Sequence, residues 1–394
     1  MNTNRNWKRF QRFQRFQEPL SYSRNPMKTA LERFLIMNAT MLSLVVSFSI
    51  CHAAPEESFT TEDYYLVDKI DVHFHILTED PQFVTLAKRD RFRFVNIVTD
   101  SADPTELNLR HRAAFAQLKA HPDRIIVASS FSMVGWDDPD WADRTIRHLD
   151  ETFAKGAVAV KVWKNIGMEW KDKNGRIIMI DDPKLRSIFD HLTKKNIRVI
   201  GHLGEPRDCW WPAERMLLHH RGYYAAHPQY HMFLHPELPT YEDQITARDK
   251  LLQQHPDLKF CGAHLASLEW SVDELAKFLD RFPSSVVETA ARVADLQSQS
   301  SHEHGKVRDF LIKYQDRVLY ASDMGVARSL VTPEIAIEEK RERWLNDWRY
   351  FATKDDVRVP QFPDPVRGLQ LPKTVVEKIY RLNAERFFNH SWKE

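Results

Sequence analysis

The sequence has few cysteines, almost no net charge and no long uninterrupted hydrophobic run. Its three cysteines are too few for the disulfide framework of a small secreted domain. The net charge is +1, from 56 basic and 55 acidic residues that are interspersed along the chain. This balance argues against nucleic acid or an anionic membrane surface as a partner. The cleanest apolar run, residues 41–50, is too short to span a bilayer.

The first 53 residues have the character of an N-terminal extension and a signal peptide. Residues 9–17 repeat Arg-Phe-Gln three times, a low-complexity tract that cannot form a packed core alone. From Met27 the pattern becomes a basic start, an apolar middle and small residues before Pro55, which is typical of a secretory signal peptide. We therefore expect translation to start at Met27, cleavage near Ala53 or Ala54, and a periplasmic or secreted mature domain at residues 54–394. In that domain Cys209 and Cys261 remain, and the sequence leaves open whether they pair.

Beyond residue 54, strand-like and helix-like segments alternate along the chain. Apolar runs predict eight strands, at residues 66–76, 91–98, 124–130, 157–163, 197–202, 258–264, 285–289 and 317–322. Helical periodicity is found in the segments between them, most clearly at residues 104–120, 141–155, 185–195, 241–254, 272–282, 303–314 and 374–387. Repeated strand–helix units on this scale predict an α/β fold with a parallel sheet, specifically a (β/α)₈ TIM-type barrel. A doubly wound open sheet is the alternative, but the glycine-rich turn it usually carries after its first strand is missing at residues 75–78.

Three predicted connections are unusually long, and they follow strands 4, 5 and 8. They are residues 164–183, 203–240 and 324–372, and in a barrel all three rise from the face where active sites lie. The second connection is rich in histidine, with His219, His220, His227, His231 and His235. A second metal site is the alternative there, but the spacing matches no strong pattern and we expect a solvated loop.

The motif Asp71-Val72-His73-Phe74-His75 ends the first predicted strand. Side chains alternate across a strand, so His73, His75 and Asp71 are expected on one face. Two neighbouring imidazoles suit a divalent ion such as zinc, although two histidines that satisfy local hydrogen bonds would give the same short pattern. Other chemical residues fall at or near the ends of later strands, namely Lys161, His202, His264 and Asp323. In a barrel these ends converge on one mouth.

This ordered set resembles the amidohydrolase superfamily, in particular its amidohydrolase-related branch of decarboxylases and lactonases. The resemblance runs from Asp71 to residues 380–387, which end the last predicted helix. It implies that His73, His75, His202 and Asp323 bind a divalent metal, expected to be one zinc ion. It also implies that Asp323 transfers protons and that His264 acts as an acid–base or electrophilic group. Lys161 either bridges two metals as a carbamate, with His264 then a ligand, or remains an amine that holds a substrate carboxylate.

The expected function is metal-dependent hydrolysis of an amide, ester or lactone carbonyl of a small molecule by activated water. The alternatives are a zinc-dependent non-oxidative decarboxylase of a small unsaturated or aromatic acid, and a binding protein that has lost catalysis on the same barrel. Weaker candidates for substrate binding are Glu205, Arg207 and Arg292, with Trp163, Trp210 and Trp211 as an aromatic wall. Asp71 is expected to orient a ligating imidazole. The long loops leave room for a homodimer.

Overall fold

A computed structural model describes residues 57–327, 332–359 and 362–393. The expected start at Met27, the signal peptide and its cleavage site lie outside these residues. Within the described residues, nine strands form a parallel sheet in the order β8-β7-β6-β5-β4-β3-β2-β1-β9, and β10 and β11 form a separate antiparallel pair. The strands are β1 Lys69–Ile76, β2 Phe92–Ile97, β3 Ile125–Ser129, β4 Ala157–Val162, β5 Arg198–Gly201, β6 Phe260–Gly262, β7 Ser285–Glu288, β8 Val318–Leu319, β9 Met324–Val326, β10 Asp356–Val357 and β11 Val366–Arg367.

Helices occupy the crossovers between the strands and two of the long connections. Those of five or more residues are α1 Gln82–Ala87, α2 Pro104–Ala120, α3 Trp141–Ala154, α4 Arg186–Lys194, α5 Leu218–Ala226, α6 Tyr241–Gln254, α7 Val272–Arg281, α8 Val293–Lys313, α9 Pro333–Ala352, α10 Lys373–Glu377 and α11 Asn383–Phe387, with a π-helical turn at Lys378–Leu382 between the last two. Four-residue helical turns lie at Asn165–Met168 and Ala263–Ala266. Short 3₁₀ turns lie at Glu62–Tyr65, Lys88–Asp90, Pro183–Leu185, Arg207–Trp210, Ala213–Arg215, Pro228–Tyr230 and Met232–Leu234. In the part of the chain that the structure describes, no helix is both long enough and apolar enough to cross a bilayer.

The predicted parallel sheet with helical crossovers is confirmed, but its last strand differs from the prediction. Residues 318–326 form two short strands, β8 and β9, separated by residues 320–323. β8 pairs with β7, whereas β9 pairs with β1. The Tyr320 carbonyl also accepts a hydrogen bond from the Val72 N–H at 3.1 Å. One short segment of chain therefore contributes both end strands of the sheet, β8 beside β7 and β9 beside β1.

Apolar side chains pack on both faces of the sheet. One cluster joins residues of successive strands on the inner face, including Ile70, Val72, Ile126 and Leu319. The larger cluster joins the outer face of the sheet to the helices. Full burial of such a side chain contributes roughly 1.5–3 kcal/mol. This two-sided burial explains why the strands are nearly continuous apolar runs.

A β-bulge in β1 changes the predicted arrangement of the histidine motif. The register with β2 shifts between Asp71 and Phe74, so the alternation of side chains is interrupted there. Val72 packs in the inner cluster, whereas Phe74 packs among the helices. Asp71 points to the helix side, where its Oδ2 accepts from the indole N–H of Trp344 at 3.3 Å. The prediction that Asp71 shares a face with His73 and His75 is therefore wrong.

Local sequence explains the two helices whose predicted bounds agree with the structure. α2 begins with Pro104, and the preceding Asp103 accepts the Thr105 N–H at 2.8 Å. α6 begins with a reciprocal capping box between Thr240 and Asp243.

The longest crossover helix differs from its predicted bounds. α8 begins at Val293, ten residues before the predicted start, and contains a non-helical residue at Glu303. Its N-terminal part was missed because polar residues hide the periodicity there.

The pairing of the two cysteines, which the sequence left open, is settled by their state in the structure: Cys209 and Cys261 are both buried and free.

Candidate metal-binding active site

His73 and His75 at the end of β1 meet Asp323, which lies between β8 and β9. The Nε2 atoms of both histidines lie 3.3 Å from Oδ1 of Asp323. The Nδ1–H of His75 donates to the Ile97 carbonyl at 3.0 Å, which leaves its Nε2 lone pair directed at the site. Desolvation alone would raise the pKa of Asp323, but the imidazoles of His73, His75 and His264 outweigh it and hold this pKa well below its usual range. Asp323 is therefore a carboxylate at neutral pH.

The backbone at Asp323 is held by Asp71 from the other face of β1. Asp323 has a φ of +62°, a left-handed conformation that costs a non-glycine residue free energy. Asp71 compensates by accepting the Ser322 N–H at 3.0 Å and the Ser322 hydroxyl. The Asp323 N–H donates to the His73 carbonyl at 3.0 Å. Asp71 thus positions the carboxylate of Asp323 through the backbone. It does not orient an imidazole ring, which was its predicted role.

Glu288, the last residue of β7, takes the orienting role that was predicted for Asp71. Its Oε1 accepts the Nδ1–H of His73 at 2.8 Å and the backbone N–H of His264 at 3.0 Å. Its Oε2 accepts the Ala290 N–H. A carboxylate that fixes the tautomer of a histidine is common behind metal ligands. Glu288 was not among the predicted site residues, although it lies at a strand end as they do.

His202 and His264 face each other at the ends of β5 and β6. The Nδ1–H of His264 donates to the Ala290 carbonyl at 2.9 Å, so its Nε2 carries a lone pair, and this atom lies 3.1 Å from Nδ1 of His202. Burial lowers the pKa of both imidazoles well below 6.5, so both are neutral. In this tautomer His264 can accept a proton or bind a metal. It cannot donate a proton into the site.

A left-handed turn after β6 places His264. Residues 264–267 all have φ between +55° and +57°, at a cost of roughly 1–2 kcal/mol each. The turn is held by Arg248, which donates to the Ala266 carbonyl, and by the Ser267 hydroxyl, which donates to the Gly204 carbonyl at 3.0 Å. A Cβ atom at Gly262 would lie 2.5 Å from Cβ of Ala266. Glycine is therefore required where the turn folds back.

Lys161 projects from β4 into the same buried space. Its Nζ donates to Nε2 of His73 at 3.2 Å, and the residue is fully buried. Burial lowers the pKa of Lys161 to about 8, although Glu288 and Asp323 oppose the shift. The geometry places Lys161 where either of its two predicted roles, bridging or substrate binding, would be carried out.

A cavity of ≈ 380 Å³ opens beside these residues and is lined in part by His202, His264 and Asp323. Glu205 and Arg292 also line it, whereas Arg207 is not among its lining residues. The Arg207 guanidinium lies 4.1 Å from the ring centre of Trp270. The carboxylate of Glu205 is paired with Lys164.

The expected aromatic wall and the expected solvated loop both differ from what the structure shows. The cavity is lined by Tyr223 and Tyr224 and not by the predicted tryptophans Trp163, Trp210 and Trp211. Trp210 instead donates to the Pro239 carbonyl at 3.2 Å. In the histidine-rich connection His220 and His231 are buried, so the prediction of a solvated loop is wrong at these positions. The long connection folds back over the start of α8, which sequence spacing does not reveal.

The donor atoms present fit a divalent metal. Those of His73, His264 and Asp323 all lie within 4.8 Å of one another, and His75 reaches the same carboxylate oxygen. This set includes His264, whereas the resemblance placed His202 among the ligands. His202 reaches this donor set only through its contact with His264. If the proton of His202 were on Nε2, the lone pairs of His202 Nδ1 and His264 Nε2 would face each other. A cation bound to both nitrogens would stabilise that arrangement.

Comparison with known proteins identifies the family. The family model described as amidohydrolase matches residues 70–389. No curated protein sequence is similar enough to this chain to count as a match.

Solved structures with similar architecture share little sequence with this chain. A 2,6-dihydroxybenzoate decarboxylase from Rhizobium has a TM-score of 0.49 at 14% identity, covering 82% of this chain and 99% of that one. A TIM-barrel protein from Bordetella bronchiseptica has 0.46 at 14%, covering 82% and 100%. A dihydroorotase from Campylobacter jejuni has 0.44 at 11%, covering 83% and 85%. Similarity at this level supports no statement about the reaction.

Proposed function

This chain belongs to the amidohydrolase family, whose members are metal-dependent enzymes, and from that premise we propose that it hydrolyses an amide, ester or lactone carbonyl of a small molecule. The observation that carries this proposal is the convergence of His73 and His75 on one carboxylate oxygen of Asp323, at 3.3 Å from each. His73 and His75 lie in the first strand of the sheet, whereas Asp323 lies between its last two strands, β8 and β9. Their convergence beside a cavity is what a metal-assisted hydrolase requires.

Zinc is the ion we propose, in a single site, because imidazole and carboxylate donors suit it. When bound, zinc would polarise a carbonyl oxygen and lower the pKa of water toward ~7. The ionised Asp323 accepts the proton of the attacking water and returns it to the leaving group. Glu288 keeps the Nδ1 proton on His73, so that Nε2 remains a ligand. His264 offers an acceptor nitrogen, and Lys161 contributes a buried amine beside His73.

The alternative, a non-oxidative decarboxylase, is favoured by one observation in the cavity wall. Arg292 is buried, and its Nε makes no hydrogen bond to any of the described residues. Burial alone would lower the pKa of Arg292, but the carboxylates of Asp295 and Glu269 outweigh it and raise this pKa. A permanent cation with an unused donor is suited to hold a substrate carboxylate.

Three further properties belong to the same proposal. We propose that the nine strands form a closed (β/α)₈ barrel in which β8 and β9 together make the eighth strand, since residues 320–323 link both ends of the strand order. We also propose that residues 1–53 are an N-terminal extension with a signal peptide, and that the mature domain is periplasmic or secreted. A homodimer stays a prediction of the sequence.

Metal analysis of the purified full chain tests the site. Wild type is expected to carry zinc, and both His73→Ala and Asp323→Asn are expected to lose one ion per chain relative to wild type. His302→Gln, which removes an exposed histidine from α8, is the control and should match wild type. Zinc that both site variants retain would contradict the assignment. Loss of two ions from one substitution would instead indicate a binuclear site bridged by Lys161.

A substrate panel tests the reaction. Lactones, esters and amides are assayed beside aromatic acids, with acid release and CO₂ release followed separately. Turnover of a carbonyl substrate that Asp323→Asn abolishes is the expected result. CO₂ release alone would favour the decarboxylase. Stoichiometric zinc without turnover of any substrate would favour a binding protein.

A further inference from the structure

A second group of histidines and a carboxylate lies on the wall of the same cavity. Asp295, near the start of α8, has Oδ2 3.2 Å from Nε2 of His219 and Oδ1 3.5 Å from Nε2 of His220. The side chains of the three residues are only 9%, 7% and 1% exposed for His219, His220 and Asp295. Their donor atoms all lie within 4.8 Å of one another. We call His219, His220 and Asp295 the α5–α8 cluster.

A fourth residue fixes the orientation of one imidazole in the α5–α8 cluster. Both carboxylate oxygens of Asp208 lie 2.8 Å from Nδ1 of His220, so the Nδ1–H donates to Asp208. Nε2 of His220 is then the atom that faces Asp295. A histidine held by a carboxylate on one nitrogen and free on the other is the usual arrangement of a metal ligand.

Two buried polar atoms in the cluster have no satisfactory partner. Nε2 of His220 and Oδ1 of Asp295 make no hydrogen bond to any of the described residues, although both are fully buried. Leaving such atoms unpaired costs about 1–3 kcal/mol each. They are directed at the same space, 3.5 Å apart. This space requires an occupant that binds both atoms.

We propose that the α5–α8 cluster binds a second divalent cation of the zinc type, separate from the site at His73, His75 and Asp323. Two imidazoles and one carboxylate form a zinc-type ligand set that leaves a coordination position open. The buried carboxylates of Asp208 and Asp295 supply the negative charge that offsets the neighbouring Arg292. His219, His220 and Asp323 all line the same cavity, so a cation bound to the two histidines would lie at the wall of that cavity. A cation there would hold an oxygen atom of the substrate.

The competing occupant is a proton on His220. Desolvation lowers the pKa of His220, but Asp295 and Asp208 outweigh it and raise this pKa to about 9. A protonated His220 would form an ion pair with both carboxylates. The titratable and charged groups around it are Asp208, Asp295, Glu269, His219 and Arg292. Metal binding releases such a proton, so the two occupants are distinguished by direct measurement of the ion.

The experiment measures zinc bound per chain after equilibrium dialysis of the purified full chain, with cobalt as a spectroscopic substitute. Wild type is expected to bind one ion more than His219→Gln and Asp295→Asn. Both variants should keep the ion that Asp323→Asn loses. His302→Gln is the matched control and should bind as wild type does. If Asp295→Asn fails to fold, His219→Gln decides alone, because its side chain lies at the cavity and glutamine keeps a nitrogen near Nε2.

The outcomes separate this inference from the proposed function. Equal zinc in wild type and His219→Gln overturns the second site. The cluster then contains a protonated His220 in an ion pair with Asp208 and Asp295. In that case a loss in Asp323→Asn still supports the proposed active site. A loss in His219→Gln with no loss in Asp323→Asn supports the α5–α8 cluster and contradicts the active-site assignment.

Discussion

Replacement of Glu288 by glutamine tests whether a buried carboxylate keeps His73 in its ligating form. The two oxygens of Glu288 accept three N–H donors, from the His73 ring, the His264 backbone and the Ala290 backbone. Glutamine has one acceptor oxygen, so its amide nitrogen must face an N–H donor whichever way it is turned. At least one hydrogen bond is lost, at about 1–3 kcal/mol. We expect zinc affinity to fall about 10- to 100-fold, which corresponds to about 1.4–2.7 kcal/mol.

The assay is competition for zinc against a chelator of known affinity, with the thermal unfolding of the metal-free protein measured in parallel. Glu385→Gln is the control, because Glu385 is a partly buried carboxylate paired with Arg93 and takes no part in the site. It should leave zinc affinity within about twofold of wild type, as expected for a change that touches no ligand. A folded Glu288→Gln protein that also binds zinc within about twofold of wild type would refute the reasoning.

Two other predictions concern residues near and far from the site. Arg292→Gln should raise KM about 10- to 100-fold for a substrate that carries a carboxylate, because charged hydrogen bonds contribute about 1.5–3 kcal/mol; an equal rise for a neutral ester would contradict this role. Burial, with a smaller effect from His148, lowers the pKa of His111 from 6.5 to about 4. Between these values the unfolded chain binds the extra proton, so stability falls as pH decreases from about 7.5 to 5, by about 2 kcal/mol. His111→Gln should remove this part of the pH dependence in denaturant unfolding at the two pH values, and an unchanged pH dependence would exclude His111 as its source.

Much of the fold was predictable because the signals are local. The bounds of α2 and α6 depend on caps a few residues long, and these are written in the adjacent sequence. Strand β4 was recognisable as an apolar run interrupted by Lys161. The contact of His73 and His75 with Asp323 followed from the rule that carboxyl ends of parallel strands converge.

The wrong and missing predictions concern side chains whose positions depend on a strand irregularity or on partners distant in sequence. The bulge in β1 sends Asp71 to the helix side, and alternation alone could not show it. Glu288 carries the same strand-end signal as the residues that were identified, but its partners His73 and His264 are distant in sequence, so its orienting role has no local signal. His219 and His220 were assigned to a solvated loop because Asp295, their partner, is 76 and 75 residues further along the chain and only the folded connection brings it near.

The sequence by itself determined the alternation of strands and helices and most of the residues that reach the site, because periodicity, caps and strand-end chemistry are short-range properties. The family was indicated by the resemblance of the ordered motif. Only the tertiary structure decided which atoms of those residues face each other. Proton positions on His73 and His264 depend on Glu288 and Ala290, and the pairing of α5 with α8 depends on packing across long loops. Ligand geometry is set by contacts distant in sequence, and those contacts have no local signal.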